Sequence, residues 1–140
     1  MVAVSRAASS TPEFLESVYP ILHKLLSAYA PPFKSVEGTV RGKKDLHLVT
    51  PKAIAISGIY ENKPKPAGMA SIILQKEYRG FYYTPLYLSP GLKKNLSPSL
   101  TRLLKGKTCF HIKKVDGDLL QDLNAALQLG LSFFQERGWV

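Results

Sequence analysis

The chain predicts an α+β fold, an antiparallel sheet of about five strands with the N-terminal and C-terminal helices packed on one face. Three observations carry this expectation. Both end regions repeat apolar side chains at intervals of three and four, the middle alternates them at intervals of two, and the middle connections are too short for the crossover that parallel neighbours require. With 140 residues, 45% of them hydrophobic, the chain can bury one substantial core but not two. One domain is therefore expected over residues 12–140, after a flexible tail at 1–11.

The first helix is predicted from Pro12 to Ala28. Thr11 can cap it, Pro12 suits the first helical position, and Glu13 and Glu16 sit where the helix dipole favours anions. Phe14, Val18, Ile21, Leu22, Leu25 and Leu26 supply one apolar face. Pro20 should kink this helix or split it, and Ala30-Pro31-Pro32 should end it.

Two short strands follow in the pattern, Leu46–Thr50 and Ile54–Ile59, separated by Pro51. Tyr60 to Ala67, with Asn62, Pro64 and Pro66, reads as an exposed turn. Gly68–Gln75 and Arg79–Thr84 then alternate on either side of Lys76-Glu77, completing a meander. Ser97-Pro98 opens a short helix whose buried side is Leu100, Leu103 and Leu104 and whose stop is Gly106. A further strand, Thr108–Lys113, leads to the last helix, capped by Asp116 or Asp118. Its wide apolar stripe of Leu119, Leu120, Leu123, Ala126, Leu127, Leu131 and Phe134 ends at Gly138.

Charge is concentrated in the middle. Residues 29–115 hold sixteen Lys/Arg against four acids, whereas the two ends together hold three against six. Between Tyr78 and Val115 there are eight basic residues and no acid, interleaved with aromatics such as Phe81, Tyr82, Tyr83, Tyr87 and Phe110. A positive field beside ring faces suits phosphates, carboxylates or bases. Cys109 is the only cysteine, so an internal disulfide is excluded and a reducing cytoplasm is the expected setting. No apolar run approaches the ~20 residues that span a bilayer, and no membrane association is expected.

Strand parity selects the candidate residues. Cys109 and His111 share one face of their strand, with Phe110 and Ile112 on the other. If the core takes Phe110 and Ile112, the thiol and imidazole lie on the uncovered face with His47, Ser57, Ser71 and Tyr82, rimmed by lysines. On this basis Tyr82, Tyr87, Lys105, Lys107, Cys109, His111 and His47 are the candidate ligand-binding residues. Cys109 and His111 are also the weak candidates for a soft metal, or for a thiolate activated by Lys105, Lys107 and Lys113. Lys105-Gly106-Lys107 has too few glycines for a phosphate loop of the Walker type, and Lys105 can instead compensate the end of its own helix. No catalytic motif stands out.

The run Gln75-Lys76-Glu77-Tyr78-Arg79-Gly80-Phe81-Tyr82-Tyr83-Thr84-Pro85-Leu86-Tyr87, together with Leu103 to Lys114 and the ending Arg137-Gly138-Trp139-Val140, resembles the YdhG-like domain family over roughly residues 50–140. The resemblance implies a small α+β domain. Some relatives are called frataxin-like iron chaperones, which would imply iron handling. Against that role, hard iron sites use carboxylates, and the acids offered are Glu13, Glu16, Asp116, Asp118 and Asp122 in a chain of net charge +9. The expected function is thus a non-enzymatic binding module without a cofactor, holding a small anionic ligand or a partner segment on the basic, aromatic-lined sheet face. Nucleic-acid binding and iron handling are the alternatives.

Overall fold

The computed structural model of the chain describes residues 12–40, 43–56 and 63–140. The expected tail, the Thr11 cap, the Ser57–Ile59 part of the expected second strand and the Tyr60–Asn62 part of the expected turn lie outside these residues, and Ala55 and Ile56 are not in a strand. Helix α1 (Pro12–Ser27) continues as one element through the exposed Pro20, without the expected split. Strands β1 (Lys34–Val40), β2 (Lys43–Ile54), β3 (Lys65–Leu74) and β4 (Arg79–Tyr83) then form the meander. Two single-turn helices, α2 (Pro85–Leu88) and α3 (Pro98–Thr101), flank a 3₁₀ segment at Pro90–Asn95. Strands β5 (Leu104–Lys105) and β6 (Cys109–Ile112) precede the long helix α4 (Gly117–Glu136).

The sheet has six strands in the order β1-β2-β3-β4-β6-β5, every pair antiparallel. Its helix-covered face is built row by row. Leu46, Ile72, Phe81 and Phe110 are successive cross-strand partners, and none is exposed to solvent. Helix α1 adds Val18, Leu22 and Leu26, and α4 adds Leu123, Leu127 and Phe134. Each such fully buried side chain stabilises the fold by about 1.5–3 kcal/mol relative to exposure. The Tyr83 hydroxyl donates to the Ala126 carbonyl at 2.6 Å, and the Tyr29 hydroxyl donates to Asn124 Oδ1, also at 2.6 Å, so the sheet and the α1–β1 connection are each tied to α4.

Three local differences from the sequence expectation have physical causes. Strand β1 carries Lys34, Ser35, Val36, Glu37 and Gly38, all exposed, so no apolar alternation marks it. Pro51 lies inside β2 and does not end it. The Thr50 hydroxyl accepts from Ala67 N–H at 2.9 Å and donates to the Lys52 carbonyl at 2.7 Å, replacing the ladder where the register shifts between Val49 and Ala53. Leu103 and Leu104 are not helical. The helix capped by Ser97 stops at Thr101, and Leu104–Lys105 pairs with β6 across a turn in which Gly106 adopts φ +86°. A residue with a Cβ is strained at that angle.

A second irregularity is in β3. Leu48 pairs with Ala70 but Val49 pairs with Gly68, leaving Met69 as an extra residue. Met69 and Ala70 are consequently both buried although they are adjacent in sequence.

Candidate functional site

Parity on β6 is as the sequence requires: Phe110 and Ile112 are fully buried, while Cys109 and His111 are half-buried on the face away from α1 and α4. Register then fixes two rows on this open face. One row runs Val36, His47, Ser71, Tyr82, Cys109 and Lys105, and the next runs Gly38, Asp45, Ile73, Gly80 and His111.

Within these rows the side chains pair off. His47 Nδ1 is 2.7 Å from Ser71 Oγ and its Nε2 is 3.0 Å from Asp45 Oδ2. The ring of Tyr82 lies over Gly80, so close that a Cβ there would come within 2.8 Å of Cε1. Burial pushes the Tyr82 phenol up to about 12, helped by its hydrogen bond with Cys109. Burial also raises the Cys109 thiol, only partly offset by that same hydrogen bond. This corrects the expectation of an activated thiolate, because an activated thiol must be displaced downward.

His111 is stacked on Tyr78, the ring centroids 3.6 Å apart and the planes 10° from parallel. Its pKa is lowered by desolvation first and then by Lys105 and Lys113. The field at this imidazole is therefore positive.

Beside β5 and β6 a cleft of about 640 Å³ opens at the sheet edge. Arg102, Lys105, Lys113 and Lys114 line it with His111, and Asp116 with Asp118 and Asp122 of α4 also reach it. Asp116 is occupied as the α4 cap, its Oδ1 accepting from Leu119 N–H at 2.8 Å. Among the described residues none of the four cations makes an ion pair. A smaller cleft of about 280 Å³ holds Tyr87 and Lys107 with Lys93 and Leu104. The expected single concavity is thus divided. His111 and Lys105 meet in the larger cleft, Tyr87 and Lys107 in the smaller, and Tyr82, Cys109 and His47 line neither.

Lys105 does not compensate a helix end as expected, because it lies on a strand. Among the described residues no three of His, Cys, Asp and Glu converge as a metal ion requires. Among the described residues the donor set does not fit the iron site that the family resemblance implies. Sequence reasoning missed Arg102, Lys113 and Lys114 as cleft residues and Tyr78 as the partner of His111. It also missed Asp45, for which the two-residue spacing to His47 on a strand is the available signal. No helix among the described residues is long and apolar enough to cross a membrane. No family model, curated protein or solved structure matches the chain.

Proposed function

We propose that the domain is a non-enzymatic binding module that holds a small anionic ligand in the cleft beside β5 and β6. The supporting observation is the set of four cations around one concavity, none of them paired with a carboxylate among the described residues. Unpaired, solvated ammonium and guanidinium groups lose little when an anion replaces their water, and a cleft with low-dielectric walls strengthens the attraction. The depressed His111 agrees in sign with such a field. The resemblance to YdhG-like domains enters only through the fold.

The test is an NMR titration at low salt with inorganic phosphate and a series of small carboxylates. Saturable shifts at Arg102, Lys105, His111 and Lys113, lost in Lys105→Glu and Lys113→Glu, support the proposal. Shifts that do not saturate, or that survive both substitutions, refute it.

A second reading, nucleic-acid binding, draws on Tyr87, which is 52% exposed beside Lys93 and Lys107. A stacking ring among lysines suits a single strand. Affinity for mixed oligonucleotides that falls steeply with salt and is weakened by Tyr87→Ala would favour it over the small-ligand reading.

A further inference from the structure

The open face carries an arrangement that anion binding does not use. Asp45, His47 and Ser71 form an unbroken hydrogen-bonded chain across two central strands. Asp45 and His47 are two apart on β2 and so leave the same face, and the ladder sets Ser71 of β3 directly opposite His47. All three positions therefore follow from strand register, with no loop to order.

The chain has a direction. An ionised carboxylate can only accept, so the proton between Asp45 and His47 belongs to Nε2. In the neutral ring Nδ1 is then left as an acceptor, and at 2.7 Å it takes the proton of Ser71 Oγ–H. Asp45 is 3% exposed, and among the described residues its buried Oδ1 has no hydrogen-bond partner. Its contact with the imidazole runs through Oδ2. Solvent reaches the far end of the chain: the His47 side chain is 31% exposed and Ser71 is half-buried, whereas Asp45 is buried. A hydroxyl, a base within hydrogen-bond reach and a third group orienting that base are the components of an activated nucleophile.

We propose that Ser71 is a covalent acyl acceptor, with His47 as its base, Asp45 as a positioning residue and activated esters as its substrate class. Ser71 Oγ bonds to the acyl carbon while its proton passes to His47 Nδ1. The bond to the leaving alcohol breaks, the alcohol takes that proton, and acyl-Ser71 and neutral His47 remain. The restriction to activated esters follows from the sheet: amides of central strands are committed to ladder bonds and do not serve as an oxyanion hole, so only an ester whose leaving group departs readily should react.

The experiment treats the full chain with p-nitrophenyl acetate and, separately, with a fluorophosphonate, and reads intact mass followed by peptide mapping. The expected result is one adduct per chain, on Ser71, absent in Ser71→Ala and formed at least tenfold more slowly in His47→Gln and Asp45→Asn. Imidazole ¹⁵N shifts should report the Nε2–H tautomer of His47 in the parent protein and a mixture in Asp45→Asn, a change that loss of packing alone would not produce. Ser71→Ala and His47→Gln sit at the surface and keep the test valid if Asp45→Asn does not fold. No adduct, adducts only on lysine or tyrosine, or labelling of His47→Gln at the parent rate would overturn the proposal.

Discussion

Tyr78 lies flat on His111, 3.6 Å between ring centroids, and covers one face of an imidazole whose surroundings are already positive. His111 should therefore titrate below the ordinary value of 6.5. Between the lowered midpoint and 6.5 the unfolded chain binds more protons at this position than the folded one, so stability rises with pH across that interval. Below the folded midpoint the penalty is fully present. NMR titration of the ring protons should show the depressed midpoint, and Lys105→Gln with Lys113→Gln should move it upward. Urea melts through the same interval should lose part of their pH dependence in His111→Gln.

Cys109 should be a slow thiol. Burial raises it, and the hydrogen bond with Tyr82 is what limits that rise. Alkylation by iodoacetamide at pH 8 is expected to be slower than that of a free cysteine, because less thiolate is present. Tyr82→Phe should slow it further at unchanged fold. Faster reaction in Tyr82→Phe would contradict this account of the pair.

Thr50 is the substitute for the ladder at Pro51. Thr50→Val keeps the shape but leaves the Ala67 N–H without its acceptor in a buried position, a loss of about 1–3 kcal/mol in chemical denaturation. Hydrogen exchange should become faster at Ala67 and its neighbours before it does at Ile72 and Phe81. Uniform acceleration across the sheet would show that the effect is global.

Gly130 of α4 packs directly against side chains of the sheet. A Cβ there would stand 2.7 Å from Met69 Sδ and 3.2 Å from Tyr83 Cε1. Gly130→Ala gains about 1 kcal/mol of helix propensity, but overpacking a filled core costs about 1–3 kcal/mol. A net loss of stability is expected, and Met69→Ala in the same chain should relieve part of it. A stabilised Gly130→Ala would mean that Met69 moves aside freely.

Elements whose side chains face both core and solvent were legible in the sequence. The apolar stripe of α4 and the alternation around Phe110 and Ile112 placed the helix-covered face and assigned Cys109 and His111 to the other. Strand β1 was not, because an edge strand exposed on all sides leaves no hydrophobic period to detect. Proline and glycine misled at Pro51 and Gly106. In the first case a threonine hydroxyl supplies the lost ladder bond, and in the second the glycine serves a strand turn instead of a helix end. The larger cleft depends on how α3, β5 and α4 meet at one edge, which no periodicity encodes. The link from His47 to Ser71 depends on a register that follows from two irregularities between β2 and β3.

The extra residue at Met69 also insulates one end of the ribbon from the other. Above it Ala70, Ile72 and Leu74 set the inward phase, and below it Ala67 and Met69 set an independent one. A sheet with strict alternation transmits any one-residue length change along the whole strand. Here a shortening or lengthening near Lys65 can be absorbed before it reaches Ser71. Length variation in the segment joining β2 and β3 is thereby uncoupled from the phase of the open face at Ser71.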